Sequence, residues 1–184
     1  MVQERSASDR PNDAQPGIPL LATKLYAPPA RPGLVARPRL LRRLDQGLSS
    51  RLILVSAPAG YGKTTLVSAW LAEQRSADAW LSLDAGDNDP ARFLRYLIAA
   101  VQTIAHGVGE AAQALLQSPR LPRLEAALSL LINDLCSLPD HVVIVLDDYY
   151  LIGASDIHQA VAFLLDHLPS QIHLLIATRA AIII

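Results

Sequence analysis

The stretch from Arg51 to Thr65 constrains the fold of this chain more strongly than any other. It begins with a short apolar run at residues 52–55, passes through a turn that contains glycines, and reaches Gly-Lys-Thr-Thr before an amphipathic segment. A strand, a loop and a helix in this order provide the context that a phosphate-binding loop (P-loop) requires. The stretch therefore predicts an anion site between the end of a strand and the start of a helix.

Each part of the loop has its own physical role. Gly60 and Gly62 lack a Cβ atom, so the backbone can adopt a positive φ and come close to an anion. Successive N–H groups can then point inward, and a helix that starts near Lys63 adds its dipole and its unpaired N–H groups. Lys63 is placed to reach the β- and γ-phosphates, which gives it a catalytic role, and the Thr64 hydroxyl is placed to ligate Mg²⁺.

The loop departs from the pattern G-x-x-x-x-G-K-[ST] at its first position, which is Ala57. Alanine keeps a Cβ atom and fits there if φ is negative. The alternative is a glycine-rich turn before a helix with a solvated lysine, but strand, loop, Lys-Thr pair and helix all agree with a phosphate site. The predicted nucleotide-binding residues of the loop are Ala57, Pro58, Ala59, Gly60, Tyr61, Gly62, Lys63, Thr64 and Thr65.

Composition limits the class of protein. The chain has 184 residues, of which 51% are apolar and 5% aromatic, enough for one domain with a core typical of α/β folds. The net charge of −1 gives no basic field that would attract nucleic acid. We therefore expect no direct nucleic-acid binding by this chain.

The cysteine count excludes two kinds of cysteine site, and the hydropathy pattern argues against membrane spans and signal peptides. The single Cys136 excludes an intramolecular disulfide and a cysteine zinc cluster, and it is predicted to be a core residue of an apolar helix. No apolar run approaches the length of a membrane span, and the N-terminus lacks the apolar core of a signal peptide. We expect no membrane association and a cytoplasmic location.

Periodicity divides the chain into three regions. Residues 1–18 are polar and predict a disordered tail. Residues 19–50 predict an extended, partly docked arm followed by a helix, and residues 51–184 predict the P-loop domain. The predicted strands are residues 52–55, 79–83, 141–147 and 172–178, and the predicted helices are residues 40–48, 90–104, 110–117, 124–138 and 156–168. Near-continuous apolar strands separated by helices predict an α/β fold of three layers, with a parallel sheet and helices on both faces.

A pair of acids follows one of the buried strands. Asp147 and Asp148 emerge where ligands bind in open α/β sheets, at the carboxyl end of the strand. Asp147 fits the Walker B role of holding Mg²⁺, and Asp148 is the candidate catalytic group that orients or activates a water. Alone, the pair would more often be an acidic turn; the P-loop earlier in the chain favours the functional interpretation.

Two arginines are further candidates for nucleotide contact. Arg179 ends the next strand, from where an arginine can reach a γ-phosphate, although a plain surface arginine is the alternative. Arg37 directly precedes the P-loop strand, where it is either solvated or beside the nucleotide. The helices between the Walker A and Walker B strands indicate the additional-strand class of P-loop NTPase. In that class the strand at 52–55 lies beside the strand at 172–178, which lies beside the strand at 141–147.

The chain ends on the apolar run Ala181-Ile182-Ile183-Ile184, directly after a predicted strand. Because domain boundaries are usually polar, we expect a truncated reading frame or an excised fragment whose NTPase domain is incomplete after Thr178. A strand that would cover residues 52–55 is then missing. We expect this apolar strand to lie at an exposed sheet edge, which favours self-association and marginal stability.

Several motifs together point to a known family: Thr23-Lys24-Leu25, Arg37-Pro38-Arg39-Leu40-Leu41, Ala57 to Thr65, Leu81-Ser82-Leu83-Asp84, Gly86-Asp87-Asn88, Arg92-Phe93, Tyr96 to Val101, Asp147-Asp148-Tyr149, Leu151-Ile152 and Thr178-Arg179. With these motifs, most of the chain between Leu20 and Arg179 resembles the MalT-type, large ATP-binding LuxR-family transcription activators, which are STAND NTPases. Ala57 is itself usual in that family. The resemblance implies an ATP- and Mg²⁺-binding conformational switch that self-associates and hydrolyses ATP slowly or negligibly.

We expect these residues to hold only the ATPase part of such a protein, without the winged-helix module, the sensor repeats and the DNA-binding helix-turn-helix of the family. The resemblance therefore implies nucleotide binding more directly than transcriptional control. Two other hypotheses stay open at this point. One is a P-loop enzyme such as a small-molecule kinase, although the sequence shows no substrate pocket and no lid arginines. The other is a non-functional remnant of a larger gene.

Overall fold

The computed structural model of the protein describes residues 19–29, 37–74, 76–118 and 124–179. Its strands are β1 (Leu52–Ser56), β2 (Ala77–Ser82), β3 (Val142–Asp147) and β4 (Ile172–Thr178). Its helices are α1 (Pro38–Gly47), α2 (Lys63–Glu73), α3 (Pro90–Gln102), α4 (Glu110–Leu116), α5 (Leu124–Leu135) and α6 (Ser155–His167). Short 3₁₀ turns are formed by Ala22–Leu25, Ala85–Asn88 and Tyr149–Leu151. The predicted tail at 1–18 and the apolar end at 181–184 lie outside the described residues.

The strands form one parallel sheet in the order β1-β4-β3-β2. This order confirms the prediction that the P-loop strand lies beside β4 and that β4 lies beside β3. Within the described part of the chain, β1 is an edge strand, and the side chain of Leu54 is 46% exposed. In the described part of the chain, β1 thus occupies the edge position that the sequence predicted.

Helices cover both faces of the sheet, as predicted. One face packs against α3, α4, α5 and α6, and the other packs against α1 and α2. Consecutive residues of β3 alternate between the two cores: Ile144 lies in the first and Val145 in the second. Since both faces are covered, every residue of β3 and β4 is buried, which explains their near-continuous apolar sequences.

Proline and aspartate fix the beginnings of two helices. Pro38 is the first residue of α1, so the helix starts two residues before the predicted position, as expected for a proline whose missing N–H is not needed there. Pro90 opens α3 as predicted, and the side chain of Asp89 accepts a hydrogen bond from the Arg92 N–H at 2.7 Å. This cap satisfies one of the unpaired donors of the first turn.

The prediction for Cys136 was wrong. The helix α5 buries one stripe that ends with Leu135, its last residue, whereas the prediction extended the helix to residue 138. Cys136 therefore lies in the turn after the helix and is exposed. Burial follows the helical stripe only as far as the helix continues.

The described part of the arm, residues 19–29, is partly docked, and it forms the 3₁₀ turn Ala22–Leu25 where an extended chain was predicted. Leu20 packs against the larger core, whereas Leu21 is 59% exposed. Lys24, in the 3₁₀ turn Ala22–Leu25, is buried. Among the described residues, no helix combines the length and the apolar character that crossing a membrane demands.

Replacing Leu174 by Ala tests whether β4 is a buried strand inside the sheet, between β1 and β3. Leu174 has no exposed surface, so Leu174→Ala should lower the free energy of unfolding by about 2–5 kcal/mol, through lost transfer energy and a residual cavity. Chemical denaturation measures this change in the free energy of unfolding. Leu21→Ala removes the same atoms from an exposed site and should change stability by less than about 0.5 kcal/mol; equal losses for both variants would contradict the described core.

Candidate functional site

The loop between β1 and α2 has the backbone geometry that the sequence predicted. Gly60 and Gly62 have φ values of 81° and 76°, which residues with a Cβ atom rarely adopt. Ala57 is not among the described residues with positive φ, so its Cβ atom is tolerated there. The Ala57 N–H donates to the Thr178 carbonyl oxygen at 3.2 Å, which ties the start of the loop to the end of β4.

Lys63 lies at the start of α2 and folds back over the loop. Its Nζ atom donates hydrogen bonds to the carbonyl oxygens of Ala57 at 2.8 Å and Pro58 at 3.3 Å. The residue is only 8% exposed, so these oxygens replace much of the water that its charge would otherwise attract. The loop thus holds one ammonium group against its own backbone carbonyl oxygens.

Thr64 connects the P-loop to the acidic pair. Its hydroxyl donates a hydrogen bond to the Asp147 Oδ2 atom at 2.8 Å. The other oxygen of this carboxylate accepts from the backbone N–H of Asp148 at 3.0 Å. Residues far apart in sequence therefore meet where β1 and β3 end, and they place a hydroxyl oxygen and a carboxylate together.

Burial makes Asp147 hard to ionise. The residue is 3% exposed, and removal from water raises the pKa of its carboxyl group above the ordinary 3.8, with the charge of Asp148 adding to the rise. The hydrogen bonds from Thr64 and from the Asp148 N–H, and the charge of Lys63, act in the opposite direction and lower the pKa. A dication beside this carboxylate would relieve the desolvation cost.

Asp148 has an unusual backbone. Its φ is 56°, the only positive value among the described non-glycine residues. Aspartate tolerates this left-handed conformation better than most residues. The conformation opens the 3₁₀ turn Tyr149–Leu151 directly after β3, with Asp148 on the wall of the neighbouring cavity.

The two candidate arginines both lie near the loop. The Arg179 guanidinium carbon is 3.9 Å from the centroid of the Tyr150 ring, a cation–π contact that restricts the side chain. The Arg37 Nη1 atom donates to the Tyr61 carbonyl oxygen at 3.1 Å. Arg37 thus contacts the P-loop backbone, and Arg179 borders the cavity.

A cavity of about 460 Å³ lies against these elements. It is large enough for a nucleotide-sized ligand. Of the predicted residues, it is lined by Ala59, Gly60, Gly62, Lys63, Thr64, Thr65, Asp148 and Arg179.

The remaining predicted residues do not line the cavity. Ala57 and Pro58 contribute the carbonyl oxygens that hold Lys63. Tyr61 is 63% exposed and faces outward, and its carbonyl oxygen receives the bond from Arg37. Asp147 contacts the cavity wall through Thr64.

Sequence reasoning missed three lining residues, Pro28, Pro29 and Ser68. The prolines belong to the arm, and nothing in their local sequence indicates which part of the domain the arm reaches. Ser68 lies one helical turn after Thr64, a spacing that places both side chains on one face of α2 and that could have identified it. Its hydroxyl oxygen is buried without a hydrogen-bond partner.

Within residues 19–29, 37–74, 76–118 and 124–179, no group of three or more His, Cys, Asp or Glu side chains could hold a metal ion. A dedicated metal cage is not what Mg²⁺ usually occupies in nucleotide sites. It keeps several waters and takes one or two protein oxygens together with phosphate oxygens. The hydroxyl of Thr64 and the carboxylate of Asp147 are a donor set of this kind.

Comparison with known proteins gives a family and a fold. Residues 35–177 match the family described as AAA ATPase domain. The HTH-type transcriptional regulator MalT of Yersinia pestis (strain Pestoides F) is 40% identical over 160 residues, which are 87% of this chain and 18% of that regulator. The MalT of Cronobacter sakazakii (strain ATCC BAA-894) is 39% identical over 160 residues. This chain thus spans 18% of the length of these relatives.

Among solved structures, a Walker-type ATPase of Pyrococcus abyssi matches with a TM-score of 0.52 and 18% sequence identity. The match covers 82% of this chain and 47% of that one. At this identity the likeness concerns the fold alone, and it agrees with the predicted α/β P-loop NTPase architecture.

Asp147→Asn should stabilise the protein in metal-free buffer at neutral pH. Because the folded-state pKa of Asp147 is raised, the folded state binds its proton more tightly than the unfolded state does. This contribution is complete below the ordinary value near 3.8 and is lost as pH rises through the folded-state pKa. Asparagine has no such ionisation, and its amide can still bond both Thr64 and the Asp148 N–H.

Thermal unfolding between pH 4 and pH 7 measures this effect. The melting temperature of Asp147→Asn should exceed that of the parent at pH 7, and the difference should shrink toward pH 4. Asp140→Asn changes an exposed residue by the same chemistry and serves as the control. A parent protein that gains stability relative to Asp147→Asn as pH rises would contradict the raised pKa.

Proposed function

This chain belongs to the AAA ATPase domain family, and from that premise we propose that it is an ATP-binding switch module related to MalT-type transcriptional regulators. ATP with Mg²⁺ is the proposed ligand of the cavity beside the P-loop. The proposed residues are Lys63 at the terminal phosphates, Thr64 and Asp147 at Mg²⁺, and Asp148 and Arg179 around the γ-phosphate.

One observation carries this proposal: the hydrogen bond of 2.8 Å between the Thr64 hydroxyl and the Asp147 carboxylate. It joins the two segments that the sequence marked separately as a P-loop and as an acidic strand end. If the acidic turn were only a surface feature, we would not expect its carboxylate to bond the threonine that follows the P-loop lysine. The meeting supports a common role for both, and a hydroxyl beside a carboxylate suits Mg²⁺.

The remaining residues have roles that fit their positions. Mg²⁺, when bound, would neutralise charge on the phosphate oxygens. The glycine-rich loop would offer its N–H groups to the phosphates, and the ammonium of Lys63 would turn from the carbonyl oxygens of Ala57 and Pro58 toward them. Asp148 lines the cavity, from where its carboxylate can orient a water and accept its proton.

Arg179 suits a reporting role. It lies at the end of β4 and stacks on Tyr150, in the turn that follows Asp148. A γ-phosphate that drew the guanidinium away from the ring would alter the turn beside the acidic pair. This link supports a switch that responds to the terminal phosphate, with ATP hydrolysis slow or absent.

The similarity to MalT regulators suggests what such a switch would serve. Those relatives are named as HTH-type transcriptional regulators, so we propose a regulatory role in the cytoplasm, where DNA is accessible. The exposed β1 edge supports self-association through this strand. The same similarity favours a regulator over a small-molecule kinase.

Lys63→Ala should lower the affinity for ATP-Mg²⁺ by about 100-fold or more, because truncating one partner of a desolvated charge pair typically costs several kcal/mol. Isothermal titration calorimetry measures this loss. Arg43→Ala removes the same charge from an exposed position of α1 and should bind ATP as the parent does. Unchanged affinity in Lys63→Ala would remove the basis of the proposed function.

Asp148→Asn should retain ATP affinity to within about twofold while slowing any hydrolysis by about 100-fold, since an amide cannot accept a proton from water. Phosphate release over hours, at saturating ATP-Mg²⁺, provides the rate. Asp156→Asn alters an exposed acid at the start of α6 and is the control. Hydrolysis by Asp148→Asn at the parent rate would show that another group activates the water.

A further inference from the structure

The arm before α1 is held by a buried ion cluster that the P-loop site does not include. Lys24 is 7% exposed, and its Nζ atom contacts the carboxylates of both Asp84, at 3.0 Å, and Asp87. Asp87 is completely buried and also pairs with Arg92, at 3.1 Å. A lysine is almost never buried unless it is paired, so the cluster is a specific arrangement rather than a surface ion pair.

Aromatic and backbone contacts add to this anchor. The Lys24 ammonium lies 4.4 Å from the centroid of the Tyr96 ring, and the Leu21 N–H donates to the Tyr96 hydroxyl at 3.1 Å. The hydrogen bond from Lys24 lowers the pKa of the Asp84 carboxyl, which keeps this partner ionised at neutral pH. The arm is therefore attached to α3 and to the turn Ala85–Asn88 at several points.

The anchor lies a short distance from the candidate nucleotide cavity. Pro28 follows Lys24 by four residues, a distance that extended chain spans in at most about 14 Å. Pro28 and Pro29 line the same cavity as the P-loop residues. Three residues separate Lys24 from the prolines, and each proline has a fixed φ angle, so the position of Lys24 limits where the two prolines can lie.

The same turn that holds the arm also holds the loop after the acidic pair. The Asn88 side chain donates to the Leu151 carbonyl oxygen at 2.9 Å and accepts from the Gly153 and Ala154 N–H groups at 2.7 Å and 3.0 Å. Asn88 directly follows Asp87. The turn Ala85–Asn88 thus holds both the arm that carries Pro28 and Pro29 and the segment that begins with Asp148.

We propose that Lys24 is a positioning residue for the nucleoside half of the site: its ion pairs with Asp84 and Asp87 set Pro28 and Pro29 as the wall against which the base and ribose pack. The proposal rests on the proposed nucleotide function. In the same proposal, the P-loop and Lys63 take the phosphates. The two prolines offer an apolar surface, and the hydroxyl of Ser68, buried and unpartnered on the cavity wall, offers a polar contact.

This division of the cavity separates two kinds of ligand. ATP and ADP use both halves, whereas inorganic tripolyphosphate uses only the phosphate half. A change in the arm should therefore weaken nucleotides and leave tripolyphosphate binding unaltered. A general loss of structure would weaken all three ligands together.

The experiment measures the affinities of ATP, ADP and tripolyphosphate, each with Mg²⁺, for the full chain and for its variants. Lys24→Met keeps the length of the side chain and removes its charge, while Asp87 retains Arg92 and the Asp84 N–H as partners. We expect about tenfold weaker binding of ATP and ADP, the effect of losing contact with about 50 Å² of apolar surface. Tripolyphosphate affinity should change by less than about twofold.

A second variant changes the wall without touching the cluster. Pro28→Gly combined with Pro29→Gly alters two exposed residues and should reproduce the selective loss of nucleotide affinity. Pro19→Gly, on the other side of Lys24 and outside this cavity, is the matched control and should bind all three ligands as the parent does. If Lys24→Met does not fold, Asp84→Asn replaces it, because the amide oxygen still caps Gly86 while the ionic contact to Lys24 is lost.

The outcomes are distinguishable. Selective loss of nucleotide affinity in the Lys24 (or Asp84) variant and in the proline variant supports the proposal. Parent-like ATP affinity in either variant, or equal losses for ATP and tripolyphosphate, overturns it. Lys63→Ala separates this result from the proposed function: if it leaves both ATP and tripolyphosphate binding intact, the P-loop site itself is wrong.

Discussion

The parallel register of β1, β4 and β3 is the constraint on which the candidate site depends. Ser56 lies opposite Thr178, and Leu146 lies opposite Ile176, so the three strands end at one edge of the sheet. The P-loop, the acidic pair and Arg179 each follow one of these strand ends. Because the carboxyl ends of parallel strands share an edge, residues from three distant segments meet there. Burial of the strands on both faces keeps this register from slipping.

Three buried charged groups are each compensated by neighbouring protein atoms, but to different extents. Lys63 is compensated by loop carbonyl oxygens, Asp147 by a hydroxyl and a backbone N–H, and the Lys24–Asp87 pair by Arg92 and Tyr96. Lys63 lines the cavity and Asp147 contacts its wall through Thr64, where partial compensation favours binding of ions of opposite charge. The third is fully paired within the protein. A fully paired cluster suits an anchor, whereas a partly paired group suits a binding site.

Much of the fold could be predicted because its signals are local. Apolar runs gave every strand to within a few residues, and the order of β1, β4 and β3 followed from the additional-strand class that the helices between the Walker A and Walker B strands indicated. The errors lay where local pattern and tertiary packing differ. The helix α5 ends at Leu135, so Cys136 is exposed although its apolar surroundings indicated burial. The position of β2 at the far side of the sheet had no signal in its own sequence.

The sequence by itself determined the chemistry of the P-loop, because glycines at two positions, a lysine and a threonine have few other uses in that order. It also determined which strands are buried, since only a doubly covered strand tolerates such apolar runs. Tertiary structure alone decided that the arm prolines border the cavity, and that Asn88 supports the loop after Asp148. These contacts join segments far apart in the chain. Their geometry depends on how the helices and turns pack on the sheet, which no local pattern of residues encodes.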